Sequence, residues 1–241
     1  IRYFLKKKRF LPMNSSVIIV AAGKGKRFRE KIPKQYVNLG CESIINLTIK
    51  RFLNIKEIKY ILPVINAKHF ALYQNNINKL SASESFKKIL PPCFGGNERC
   101  LSVRKGLETI SKLKDNPSKV LIHDGARPLV SKKIIKKVIN KLENFDAVLP
   151  CINFNDTIWK IEKDQFNLLT NRTSYFRAQT PQGFKFNKIF KAHLNNDETW
   201  AYDDIYLAKI NNFKITKVLG SEFNIKITKP EDLQIAERYI K

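Results

Sequence analysis

Apolar residues in this chain fall into short blocks that alternate between two periods. Residues 16–22 (Ser-Val-Ile-Ile-Val-Ala-Ala) form an unbroken apolar run closed by Gly23, the pattern of a strand buried on both faces of a parallel sheet. Helical spacing follows over 43–52, a second strand over 58–65, and a second helix over 67–80. A short strand around Ile89 and Leu90 leads into Pro91-Pro92-Cys93-Phe94-Gly95-Gly96. Leu101, Val103, Leu107 and Ile110 mark a third helix, and residues 120–122 a strand that ends in His123-Asp124-Gly125. A helix over 134–142 and a strand over 147–150 continue the alternation. Strand and helix taking turns in this way predict an α/β fold, a doubly wound, mostly parallel sheet.

The alternation breaks between Asn155 and Phe186. Extended pieces at 157–161 and 166–170, with Lys163-Asp164 between them, predict an antiparallel β-hairpin arm projecting from the sheet. An arm of this kind can bury its apolar face against a second subunit, which predicts a homodimer. The α/β pattern then returns, with a helix after Asp203, strands at 215–219 and 224–227, and a helix from Pro230. The organisation expected is an extension or tail over 1–15 and one domain over 16–241, with a dimerisation arm at about 153–178.

Composition narrows the classes. The 241 residues suffice for one sizeable core, and the 43% hydrophobic content belongs to a globular chain. No apolar run approaches the roughly 18–20 residues of a membrane helix. Cys41, Cys93, Cys100 and Cys151 form no CxxC pair, so reduced thiols in a cytoplasmic-type compartment are expected, an organellar stroma being the other option. The formal charge of +24 raises the question of nucleic acid, but the lysines are scattered and no RNA-binding pattern of Arg and aromatics occurs. No nucleic-acid partner is expected; a basic field would still attract a triphosphate.

The chemistry is concentrated in loops at strand ends. The first strand runs into Ala21-Ala22-Gly23-Lys24-Gly25-Lys26-Arg27-Phe28, followed by Pro33-Lys34-Gln35. Such a loop at the carboxyl end of a parallel strand lets backbone N–H groups approach phosphate while Lys and Arg neutralise charge. Phe28 stands where the third glycine of a dinucleotide fingerprint belongs, and no Walker spacing is present. On these residues alone, a turn with solvated lysines stays open. Further blocks are Gly95-Gly96-Asn97-Glu98-Arg99-Cys100-Leu101-Ser102-Val103, His123-Asp124-Gly125-Ala126-Arg127-Pro128, Asp156-Thr157, Asn171-Arg172, Gln179-Thr180-Pro181-Gln182-Gly183-Phe184 and Asn224-Ile225-Lys226. In that order, over almost the whole chain, they resemble the 2-C-methyl-D-erythritol 4-phosphate cytidylyltransferase family of non-mevalonate isoprenoid synthesis.

The resemblance implies attack by a phosphate oxygen of a sugar-alcohol phosphate on the α-phosphorus of CTP, with loss of pyrophosphate. It implies Lys34, Lys226 and Arg27 as catalytic residues, and Ala21, Ala22, Gly23 and Gly25 as backbone contacts to the nucleotide. Gly96, Asn97 and Ser102 would read cytosine. Asp124 would reach the ribose or hold Mg²⁺ or another divalent cation, and Arg127, Thr157, Arg172 and Thr180 would hold the second substrate, with Thr157 and Arg172 reaching a neighbouring subunit's site. Taken singly, each has a plainer reading: Lys34 or Lys226 as a solvated lysine, Ser102 as a capping residue, Asp124 as a turn former, Arg172 as a surface arginine. Three positions depart from the family pattern. Tyr202 replaces a usual Thr near the sugar-phosphate subsite, Phe223 a common Asp unless Glu222 substitutes for it, and Asn97 a frequent Asp. They keep open a ribitol 5-phosphate or other polyol-phosphate cytidylyltransferase. A non-catalytic nucleotide- or RNA-binding protein is the alternative of another class.

Overall fold

A computed structural model describes residues 14–23, 28, 32–196 and 203–240. Its central strand is β1 (Ser15–Ala21), parallel to β4 (Ile58–Ile65) on one side and β6 (Lys119–Asp124) on the other. Ile18 is the register mark, opposite Leu62 and Ile122. Beyond β4 the short β5 (Cys93–Phe94) adds in parallel. Beyond β6, β11 (Gln182–Lys185) runs antiparallel and joins β7 (Ala147–Asn153). Parallel β12 (Ile215–Leu219) and antiparallel β10 (Phe176–Ala178) complete the sheet on β7.

The period-two alternation of β1 sends its side chains into two separate cores. Val17, Ile19 and Ala21 pack with α1 (Ile44–Leu53), α2 (Phe70–Ile77) and α4 (Lys132–Lys141). Ile18 packs instead with α3 (Arg99–Ser111), α5 (Phe186–Leu194) and α6 (Asp204–Ile210). Helices therefore cover both faces of the sheet, the doubly wound arrangement expected from the sequence. Gly106 brings α3 close: a Cβ there would lie 3.0 Å from the Ile18 side chain. A third, smaller core of Phe28, Leu39, Ile44, Ile227 and Ala236 ties α7 (Pro230–Glu237) to the ribbon of β2 (Asn38–Leu39) and β3 (Glu42–Ser43), beside Lys34.

The sequence reading needs three corrections. Residues 224–227 form no strand, because they cross the loop after β6 instead of lying beside a sheet strand; Ile227 N donates to Ala126 O. Ile89 makes a single bridge to Ile61, and the pairing strand begins only at Cys93. The helix expected over 67–80 is α-helical only at its centre, with 3₁₀ turns over Ala67–His69 and Asn78–Leu80. The hairpin is present: β8 (Trp159–Glu162) pairs with β9 (Gln165–Leu168) through a two-residue turn. Lys163 and Asp164 both have positive φ there (48° and 64°), the handedness such turns need. No helix among the described residues is long and apolar enough to cross a membrane.

Candidate active site

A cavity of about 260 Å³ opens where β1 and β6 end. Its walls bring together segments far apart in sequence: Ala21 and Gly23, Lys34 and Gln35, residues 96–99 with Ser102, residues 124–126, and Lys226 with Thr228. This is the carboxyl edge of the parallel strands, where open α/β sheets bind ligands. A buried hydrogen bond fixes the first loop: Gln35 Nε2 donates to Ala21 O at 2.9 Å. Lys34 Nζ donates to Ile227 O at 2.8 Å, which links that loop to the segment carrying Lys226.

Asp124 is the hub. It is the last residue of β6 and is 7% exposed, yet three cations converge on its carboxylate. Lys226 Nζ lies 3.1 Å and Arg127 Nε 3.0 Å from Oδ2, while Arg99 Nε lies 3.6 Å from Oδ1. Burial alone would favour the neutral acid; the three positive neighbours prevail and hold the carboxyl far below the usual range. Arg127 also donates to Asn224 O at 2.8 Å, which anchors the 224–228 segment over the site.

Behind Asp124 lies a fully buried histidine. His123 Nε2 faces Arg127 O at 3.1 Å, and a carbonyl can only accept, so Nε2 carries the proton. Nδ1 then accepts from Thr180 Oγ1 at 3.0 Å, and Thr180 Oγ1 accepts from Asp124 N at 3.1 Å. Burial lowers the imidazole pKa to about 4, so His123 is a neutral strut at physiological pH.

On the opposite wall Ser102 Oγ accepts from Gly96 N at 3.1 Å and donates to Glu98 O at 3.0 Å. Gly95 beneath it leaves no room for a side chain, since a Cβ would come within 2.4 Å of the Ala22 Cβ. The glycines therefore serve a close approach of two loops as much as any contact with ligand.

Most of the residues singled out from the sequence meet here. Ala21, Gly23, Lys34, Gly96, Asn97, Ser102, Asp124 and Lys226 line the cavity. Ala22 is buried beside Gly95, and Arg127 and Thr180 support Asp124 from behind, with Thr180's hydroxyl committed to His123 and the Asp124 amide. Arg27, Gly25 and Tyr202 lie outside the described residues. Thr157 and Arg172 are exposed at the hairpin and do not line the cavity; Arg172 donates to Asn155 O at 3.0 Å. Glu222 is not among the residues lining the cavity, and Arg177 of β10 engages both its oxygens at 2.6 and 2.7 Å. Arg99, Gln35, His123 and Thr228 were given no role from sequence. Arg99, Gln35 and His123 all stand inside blocks quoted above, which was the signal that could have found them.

No group of three or more His, Cys, Asp or Glu poised for a metal occurs among the described residues. Asp124 is the buried carboxylate of the cavity wall. That donor set fits Mg²⁺, which is commonly held by one or two carboxylates together with substrate phosphates.

The family model described as 2-C-methyl-D-erythritol 4-phosphate cytidylyltransferase matches residues 15–241. The chain belongs to this family. An Alkaliphilus oremlandii cytidylyltransferase of that name is 37% identical over 231 residues, covering 94% of this chain and 95% of that one. A Rhodospirillum rubrum bifunctional enzyme, IspD/IspF, is 35% identical over 226 residues. This chain spans only 57% of its length, about half of the bifunctional relatives it matches. Among solved structures, 4-diphosphocytidyl-2C-methyl-D-erythritol synthase from Anaerococcus prevotii superimposes with a TM-score of 0.79 at 28% identity, covering 93% of this chain and 95% of that one. The family's mostly parallel sheet with an antiparallel hairpin is the fold described above.

Proposed function

We propose that this protein transfers the cytidylyl group of CTP to 2-C-methyl-D-erythritol 4-phosphate, releasing pyrophosphate, in the synthesis of isoprenoid precursors. The observation that carries this reading is the meeting of Lys34, Lys226 and two glycine-bearing loops around Asp124 in one cavity, in a chain the family model covers from residue 15. A phosphate oxygen of the acceptor attacks the α-phosphorus of CTP; a new P–O–P bond forms as the bond to pyrophosphate breaks. No group on the protein need be covalently modified, so positioning and stabilisation of developing charge supply the rate.

Lys34 and Lys226 both line the cavity as compact cations for the phosphorus centre, with Arg27 gripping the outer phosphates. The backbone of Ala21, Ala22, Gly23 and Gly25 lies along the triphosphate. Gly96 and Asn97 present the cytosine edge, and Ser102 keeps that loop in shape. Asp124 holds the ribose or a divalent cation, and Mg²⁺ bound there with the phosphates supplies further charge neutralisation. Asp124 also keeps Lys226 from swinging into solvent.

The acceptor's phosphate is held by Arg127 and, from a second subunit, Thr157 and Arg172, while Thr180 backs Asp124 through its hydroxyl. That sharing requires a homodimer through the arm at about 153–178. The exposed apolar face of the hairpin supports it: Trp159, Ile161, Phe166 and Leu168 are 54, 61, 69 and 47% exposed. The compartment proposed is the cytoplasm.

The test is pyrophosphate release by the purified protein with CTP, Mg²⁺ and methylerythritol phosphate, run beside ribitol phosphate as acceptor and UTP as donor. Release with CTP and methylerythritol phosphate alone, lost in Lys34→Ala, is expected. Release with ribitol phosphate alone would keep the chemistry and change the substrate. Binding of CTP without release with any acceptor would overturn the reading.

A further inference from the structure

The cavity wall is connected to a second, buried charge pair that no part of the proposed reaction uses. Arg99 opens α3, at the end of a helix where a positive charge is disfavoured. Two carboxylates compensate it. Nη1 donates to Asp204 Oδ2 at 2.7 Å, and Nε faces Asp124 Oδ1 at 3.6 Å. Asp204, the first residue of α6, is 1% exposed, and its other oxygen lies 3.0 Å from His193 Nε2 on α5. His193 is itself 1% exposed, with Nδ1 3.8 Å from Cys100 Sγ. A continuous chain of alternating charge thus runs from α5 through α6 and α3 to the hub of the cavity.

We infer that Asp204, seated by His193, positions Arg99, and that Arg99 in turn fixes the orientation of the Asp124 carboxylate. The inference rests on the functional reading above for its catalytic consequence. Buried ion pairs seldom stabilise a fold more than apolar side chains of the same volume, so their presence beside a cavity calls for a purpose in placement. Geometry supplies it. The two oxygens of Asp124 are divided between walls: Oδ2 toward Lys226 and Arg127, Oδ1 toward Arg99. Arg99 can leave Oδ1 lightly held only while Asp204 occupies its Nη1 edge. Without the Asp204 charge, the guanidinium closes on Asp124 and competes with Lys226 for it. Asp204 and His193 do not line the cavity; they are positioning residues, and Arg99 acts as a fork that spans two carboxylates, which a lysine cannot.

The test uses Asp204→Asn and Arg99→Lys in the full chain, each checked for folding by circular dichroism. Steady-state pyrophosphate release should show kcat falling by about tenfold or more in both variants, as a misplacement of order 1 Å produces, while KM for CTP changes less than about threefold. A crystal structure of Asp204→Asn should show Arg99 moved onto Asp124 and the Lys226–Asp124 contact broken. If Arg99→Lys keeps full kcat, Arg99 serves only as a charge and the inference fails. It fails equally if Asp204→Asn folds with Asp124 and Lys226 unmoved. A wild-type protein that releases no pyrophosphate would defeat the functional reading, while the crystal structure would still decide the positioning claim.

Discussion

The cavity and the hairpin arm answer opposite demands. At the cavity, polar side chains are buried and matched to one another: Asp124 to three cations, His123 to Thr180 and a carbonyl, Gln35 to Ala21. At the arm, four large apolar side chains face outward. Trp159 is paired with Leu168 and Ile161 with Phe166, so all four lie on one face of the two-stranded ribbon. An isolated two-stranded hairpin is at best marginally stable in water, and this one keeps its apolar face uncovered within a single chain. The cavity is assembled within one chain, whereas the arm leaves its apolar face uncovered.

The largest expected effect tests the self-contained half. Lys226→Ala should lower kcat/KM by about a thousandfold, a typical loss for one stabilising group at a water-poor site. It also leaves Asp124 with two cations instead of three. Steady-state kinetics with CTP varied at saturating acceptor checks this. A loss under about threefold would demote Lys226 to a solvated lysine.

The arm gives the next effect. Ile161→Glu with Phe166→Glu places charge on the face proposed to meet a second subunit, and it should shift the protein from dimer to monomer in sedimentation velocity. If Thr157 and Arg172 serve the neighbour's site, KM for the acceptor should rise by about tenfold or more while CTP affinity stays within about threefold, the signature of a lost substrate contact. A monomeric wild-type protein, or a monomeric variant with unchanged acceptor KM, breaks the contrast between the two regions.

Gly95→Ala probes how tightly the cavity walls approach. The new methyl group would meet the Ala22 Cβ at 2.4 Å and Ser102 Oγ at 2.7 Å, so one loop must move. A rise of about tenfold in Kd for CTP is expected, the scale of one displaced contact. Isothermal titration with CTP checks it, and unchanged affinity would show that the loops tolerate the shift.

The difference between the regions also explains what the sequence reveals. The core strands were legible because burial on both faces leaves a near-continuous apolar signal, as over 17–21 in β1 and 60–65 in β4. The hairpin was legible from its alternation and its turn. The segment at 224–227 has a strand-like composition, yet its place is set by Arg127 and Lys34 reaching its carbonyls, contacts of long range that local patterns do not encode. Motif blocks led to the cavity residues, but not to what each touches. Thr180 is spent on His123, and Ser102 on its own loop. The partnership of Arg99 with both Asp124 and Asp204 crosses 105 positions of sequence and became readable only once α3 and α6 were packed.

The last effect concerns stability and isolates the outer end of the charge chain. Burial by itself would push the His193 imidazole toward neutrality; the hydrogen bond to Asp204 and the nearby Cys100 thiol outweigh it and raise the pKa to about 9. The folded protein then holds this proton at pH values where the unfolded chain, with an ordinary histidine near 6.5, has released it. The stabilisation is therefore complete below about pH 6.5 and fades as pH rises through about 9, by up to roughly 3 kcal/mol in total for that shift. Thermal melts of the wild-type protein should show a falling Tm over this window, whereas His193→Gln, uncharged throughout, should lose that part of the slope and start from a lower Tm at pH 6. Parallel profiles for the two proteins would mean that His193 is neutral in the fold. The carboxylate of Asp204 would then be balanced by Arg99 alone, and the charge chain would begin at α6 instead of α5.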